Sequence, residues 1–325
     1  MSNARLFAKG AIFLLAFAPC GPLWAQSQFP AGPITIVVPF SAGGSADAVV
    51  RLFADTVERH SGKRFIVENR GGGGGVVAAM TVKAARPDGY TLRLADIGPD
   101  AVLPNMQKTD YDSLKDFRPI TQLFSWPQFL IVPSSNPANS VAELVKLAAA
   151  KPEGLSQGSQ GVGSGGYLLG AMFRLATGAK IVDVPYKGGG PLAVDLATGR
   201  LDLVFGAYRE ARSAIEAGKE KVLAVASSHR SSVLPHVPTM AEAGYPGLEL
   251  APWFGLVAPA GTPDAVITYI HDVFAEAAAD PALQKRLGDD AIEINISNPK
   301  EFAAFIADER ERLGKIVRQA GIHGD

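Results

Sequence analysis

The sequence predicts an α/β protein built from mainly parallel sheets with helices on their faces. Three observations carry that prediction. Short apolar runs rich in β-branched residues alternate with segments whose apolar residues recur at helical spacing. Glycine-rich turns join several of the strand–helix pairs. No internal repeat and no long block of like charge interrupts the alternation.

The first element is the most informative. Ile34-Thr35-Ile36-Val37-Val38 reads as a buried strand that stops at Pro39. Ser41-Ala42-Gly43-Gly44 then turns the chain, and Ser45 reads as the N-cap of a helix carrying Val49, Val50, Leu52, Phe53 and Val57. Backbone amides and a helix dipole converge on such a turn, so it is a candidate anion site, although an ordinary strand–helix turn has the same pattern. Further strands are predicted over 65–67, 90–92, 129–132, 181–184, 201–205 and 222–225. Helices are predicted over 141–150, 168–177, 191–198, 263–279 and 300–320. Gly71 to Gly75 reads as a flexible turn, with a second ligand-approach loop as the alternative. Two more glycine loops precede helices: 158–166, and Gly188-Gly189-Gly190 with Pro191 as the first helical residue. Three amide-lined helix starts without an evident catalytic pair point to a cleft for a small anion.

The amino terminus predicts export. Arg5 and Lys9 form a basic region, 10–18 is a short apolar stretch, and 19–25 reads as a cleavage region ending at Ala25. A lipoprotein signal at Cys20 is the alternative, but Pro19 fits it poorly. Cys20 is the only cysteine. A chain cleaved after Ala25 therefore has no disulfide, no thiol nucleophile and no cysteine metal site. The whole chain has 31 basic and 32 acidic residues. Loss of Arg5 and Lys9 leaves 29 basic, a balance that argues against nucleic acid or an acidic membrane as partner.

Catalytic signatures are sparse. Gly161, Gly163 and Gly166, with Asp183 downstream, match a dinucleotide fingerprint. The residues before them, Leu155-Ser156-Gln157-Gly158-Ser159-Gln160, do not read as an apolar strand, and export separates the protein from nicotinamide cofactors. His60, His229, His236, His271 and His323 are scattered, with no pair at metal-ligand spacing. Asp289-Asp290 and Asp308-Glu309 read as solvated helix faces. Ser41, Ser159 and Ser164 read as caps or ligand-bonding hydroxyls, with a serine hydrolase as the competing class. No cofactor, metal or catalytic residue is predicted.

The residues also resemble a known family, the Bug-type solute-binding receptors of tripartite tricarboxylate transporters. The resemblance runs from about Pro33 to Ile322. It is carried by Pro39-Phe40-Ser41-Ala42-Gly43-Gly44 with Asp47 and Arg51, Val67-Glu68-Asn69-Arg70, and Pro87-Asp88-Gly89-Tyr90-Thr91-Leu92. Pro185-Tyr186-Lys187-Gly188, Asp195-Leu196 with Gly199 and Asp202, and Val237-Pro238-Thr239 with Glu242-Ala243-Gly244 continue it. Trp253-Phe254-Gly255-Leu256 and Ala258-Pro259-Ala260-Gly261-Thr262-Pro263 complete it. Each motif is weak alone; their order together is specific.

The resemblance implies a type II-like, two-domain periplasmic-binding-protein fold with its ligand cleft between the domains. The chain would cross near Phe124-Ser125 and Pro252-Trp253, giving a signal over 1–25, one domain from 26–124 and 253–325, and a second from 125–252. It implies a non-enzymatic, monomeric periplasmic receptor that captures a small organic acid by closure and delivers it to the permease subunits. Presentation to a membrane sensor kinase is the alternative. Implied ligand contacts are Ser41, Ala42, Gly43, Gly44 and Asp47 in the first loop, and Ser159, Gly163, Ser164 and Gly165 in the second. Asp195 is implied to organise loops or waters, because a carboxylate repels an anion.

The chain departs from the family at Asp96, with Asp100 nearby, at Tyr167, where the family usually has histidine, and at Trp126 and Arg209. Asp96 and Arg209 either face solvent or pair with each other, or they read a zwitterion. In the second case Asp96 binds an amine, Arg209 binds a carboxylate, and Trp126 stacks on an aromatic ligand.

Overall fold

The computed structural model describes residues 29–186 and 188–322. The signal segment with Cys20, and Lys187 and His323, lie outside the described residues.

β1 (Ile34–Val38) leads through the first glycine loop to α1 (Ser45–Ser61). β2 (Phe65–Asn69), α2 (Val76–Lys83), β3 (Thr91–Asp96) and the short α3 (Leu103–Met106) follow. β4 (Phe117–Ser125) is succeeded by β5 (Phe129–Pro133), α4 (Val141–Ala150), β6 (Leu155–Ser159), α5 (Gly165–Thr177) and β7 (Ile181–Pro185). Next come α6 (Gly189–Ala197), β8 (Leu203–Gly206), α7 (Tyr208–Glu216) and β9 (Glu220–Val225). The chain ends with β10 (Trp253–Pro259), α8 (Asp264–Ala278), α9 (Pro281–Gly288), β11 (Glu293–Ile294) and α10 (Pro299–Gln319).

These elements form two sheets. The first has the order β11-β4-β10-β3-β1-β2 and the second β7-β6-β8-β5-β9. The α/β class holds, but the pairing is less parallel than predicted. β1 pairs in parallel with β2 and β3, and β6 with β7 and β8. β10 runs antiparallel to β3 and β4, and β5 antiparallel to β8 and β9. The parallel halves are those joined by crossover helices; the antiparallel strands are the ones that enter or leave a sheet. The chain leaves the first sheet after Ser125 and enters the second at Phe129. It rejoins the first at Trp253. The two passages touch, with Trp126 N–H donating to the Pro252 carbonyl at 3.3 Å.

Each helix is placed by its apolar stripe. Val49, Val50, Phe53 and Val57 of α1 are fully buried against the first sheet, and each such side chain contributes about 1.5–3 kcal/mol. Phe53 stacks on Phe124 of β4. In α10 the stripe is Phe302, Ile306, Leu313 and Val317, and Asn298 with Glu301 forms a capping box.

Three expectations fail. Leu155–Ser159 is a strand despite its polar sequence, because Asp202 accepts from Ser156 N–H and Oγ, and Gln157 Nε2 donates to the Gly166 carbonyl. Partners elsewhere in the fold satisfy what the local sequence leaves polar. Ser45 is the first residue of α1 rather than its cap, which is Gly44. α6 starts at Gly189, so Pro191 lies inside its first turn rather than opening it.

Candidate functional site

The loops after β1, β3, β6, β7 and β8 all leave the C-terminal ends of their strands, where open α/β sheets place ligands. They face one another across a cleft between the two sheets. One cavity of about 620 Å³ is lined by Ser41, Ala42 and Gly71 to Gly75 on one side and by Gly163, Ser164 and Tyr186 on the other. A second, of about 290 Å³, lies between Ser41 to Ala46 and Gly188 to Pro191. The Gly71–Gly75 segment therefore lines the cleft. At Gly74, with φ +62°, a Cβ would come within 3.2 Å of the Val162 carbonyl across the cleft.

The first loop is held by its own side chains. Asp47 Oδ2 accepts from Gly43 N–H at 2.9 Å, Asp47 Oδ1 accepts from Asn69 Nδ2 at 2.9 Å, and Arg51 Nε donates to both oxygens. Burial pushes the Asp47 carboxyl up, but those hydrogen bonds and the Arg51 charge outweigh it and hold the group below its ordinary range. Asp47 thus spends its oxygens on loop geometry. In the second loop, Ser159 Oγ donates to Asp183 at 2.9 Å and accepts from Gly161 N–H, while Ser164 caps α5 through Tyr167 N–H. Gly165 lies against Pro252. Asp195 accepts from Tyr186 Oη at 2.8 Å and from Arg200 at 2.9 Å, so it positions a tyrosine that lines the cleft.

Asp96 stands at the end of β3, 4% exposed, beside a cavity of about 50 Å³. Its Oδ1 accepts from Gly98 N–H, and its Oδ2 has no partner. Desolvation first, then the neighbouring Asp100 charge, pushes its pKa up to about 8. Asp100 itself forms a fully buried bidentate pair with Arg93, at 2.5 and 2.9 Å. Trp126 and Gln128 line the same small cavity, and Trp126 Nε1 and Gln128 Oε1 are also buried without partners. The Trp126 ring packs on Phe254 and Phe124, which assigns it to an internal aromatic cluster rather than to open stacking.

Arg209 does not meet Asp96; it is part exposed and lines a separate cavity with Gly43, Gly44, Gly189 and Gly190. It donates to Asp290 at 2.5 Å, and Arg212 donates to the other Asp290 oxygen at 3.1 Å. Asp290 is therefore a buried acceptor joining α7 to the first sheet's elements, not the solvated helix face that its sequence predicts.

Sequence reasoning missed Gln128 and Glu210. Glu210 Oε1 accepts from Ser45 N–H at 3.4 Å, and its carboxyl lies where a Cβ on Gly189 would be. Two helix starts from different sheets thus meet one side chain. The only sequence signal was position: Glu210 follows the C-terminal end of β8. Ser159 and Ser164 bond Asp183 and Tyr167 N–H rather than a histidine. His60 meets Asp280, His229 meets Ser228, and His271 meets Asp272. The dinucleotide fingerprint does follow a strand, contrary to expectation, but its loop abuts Leu103 and Gly98 from the other side of the cleft.

Comparison with known proteins gives a consistent result. The family model described as tripartite tricarboxylate transporter family receptor matches residues 49–322. Protein BugT of Bordetella pertussis is 34% identical over 323 residues, covering 99% of both chains. A R. palustris protein solved with adipate superposes with a TM-score of 0.87 at 35% identity, covering 91% of this chain and 99% of that one. The periplasmic binding protein BugD has a TM-score of 0.87 at 32% identity, covering 91% of this chain and 100% of its own.

Proposed function

The chain belongs to the tripartite tricarboxylate transporter receptor family, and from that premise we propose that it captures a small carboxylate-bearing solute by closure of its cleft and delivers it to a tripartite transporter. Its role as a periplasmic solute-binding protein rather than an enzyme follows from that membership. The observation that carries the finer reading is the cavity of about 620 Å³ shared by loops of both sheets, since a solute there touches both and favours the closed arrangement.

Capture divides into two steps. Solute enters against the first loop, whose shape Asp47, Arg51 and Asn69 maintain. Rotation about the passages at 125–129 and 250–253 then brings in the loops after β6 and β7. The domains are 26–124 with 253–325, and 125–252. The receptor works as a monomer after cleavage behind Ala25. Candidate contacts are the backbone and hydroxyls of Ser41 to Gly44, Gly163 to Gly165, and Asp96 with Trp126. Ser159 and Asp195 act by holding Asp183 and Tyr186. Arg209 serves closure through Asp290 instead of binding the solute.

Thermal melting with added short carboxylates, adipate among them, tests this. A ligand at a hundred times its Kd stabilises the native state by about 2.7 kcal/mol. A saturable rise in Tm supports the reading, and flat melting across the class overturns it.

A further inference from the structure

Three residues around the small cavity of about 50 Å³ each carry a buried polar atom without a partner: Asp96 Oδ2, Trp126 Nε1 and Gln128 Oε1. Glu210 lines it as well. Native proteins leave few such atoms, and leaving one unmet costs as much as a lost hydrogen bond. Here three converge on one cavity in the cleft. Their inventory specifies what would satisfy them.

A second carboxylate on the solute would meet the Trp126 N–H and the Asp96 O–H but would face Gln128 Oε1 and Glu210. Among the described residues none that lines this cavity is a cation, and Arg93 and Arg209 are committed to Asp100 and Asp290. An ammonium would satisfy the acceptors but carries no lone pair for Trp126 Nε1–H. A carboxamide has one carbonyl acceptor and two N–H donors, and meets all three groups. We propose that this cavity reads a neutral amide end on the solute, with its carbonyl accepting from Trp126 Nε1–H and the Asp96 carboxyl O–H and its nitrogen donating to Gln128 Oε1. The inference rests on the receptor reading and names the class of solute for that cleft. The elevated Asp96 pKa agrees with it: the group is held neutral, and because Oδ1 accepts from Gly98 N–H its proton sits on Oδ2, free to donate to the amide carbonyl.

Calorimetric titration tests the assignment with adipate and its shorter homologues, their monoamides, and the amino acids in which an ammonium replaces the amide. At matched length the monoamide is expected to bind about tenfold or more tightly than the other two, because only it leaves no buried group unmet. Asp96→Ala removes one donor to the amide carbonyl, and Trp126→Phe keeps the ring but removes the other. Each is expected to bring the monoamide within about threefold of the amino acid, the preference for a carbonyl being lost. Diacid or amino acid binding as tightly as the monoamide, in the wild-type protein, overturns the amide assignment and leaves the receptor reading standing. Absence of binding by every probe overturns the receptor reading and this inference with it.

Discussion

Two regions of the cleft satisfy their polar groups in opposite ways. Around Asp47, every named contact is internal: Gly43, Arg51 and Asn69 share its two oxygens. Around Asp96, three buried atoms have no partner at all. Both regions sit at the C-terminal ends of strands in the same sheet. The difference teaches which polar groups build the site and which are left over for a solute. A loop whose side chains bond one another presents only backbone and hydroxyls. A cavity with unmet side chains reads chemistry.

The largest effect should come from breaking the satisfied ion pair that lies beside Asp96. Asp100→Ala strands Arg93 as an uncompensated, fully buried cation, and denaturant unfolding should show a loss of about 3–5 kcal/mol. A loss under 1 kcal/mol would mean that the pair is not a structural anchor.

The pH dependence should expose the unsatisfied side. Asp96 has a folded pKa raised to about 8 from 3.8, so the folded state holds its proton where the unfolded state releases it. Its contribution to stability is complete below the unfolded pKa, falls as pH rises through the window, and levels off above about 8. Between pH 5 and 8 the fall should reach on the order of 4 kcal/mol, at about 1.4 kcal/mol per unit. Asp96→Asn should remove this slope; a variant with the wild-type profile would show that Asp96 does not titrate there.

Asp47→Asn should cost about 1–2 kcal/mol, by removing the charge that accepts from Arg51 while keeping the side chain's size. Amide exchange at Gly43 should quicken with it. The smallest effect belongs to Arg209→Ala. That ion pair is partly solvated, so global stability should change by less than about 1 kcal/mol. X-ray scattering should nevertheless show a more open unliganded form, and an unchanged profile would remove the closure role of Asp290.

Much of the fold was legible because its signals are local. The β-branched run at Ile34–Val38 and the stripe Val49, Val50, Phe53 and Val57 need no tertiary context. β6 was illegible because its Ser156 and Gln157 depend on Asp202 and Gly166 for their hydrogen bonds. β10, which reads apolar throughout, went unassigned as a strand, and its partners β3 and β4 lie far upstream in the chain. In the site, the glycine loops were visible by composition. Glu210 and the Arg209–Asp290 pair were not, since each joins residues far apart in sequence.

The indole N–H resonances provide the most direct test, because the structure holds its own control. Trp126 Nε1 and Trp253 Nε1 are both buried without partners, but Trp253 lines a different cavity. In ¹⁵N-labelled protein titrated with a bound carboxylate or its monoamide, the account predicts a saturable downfield shift of the Trp126 indole N–H, assigned by its loss in Trp126→Phe, with Trp253 nearly unmoved. A Trp126 resonance that stays in place at saturating solute would contradict it.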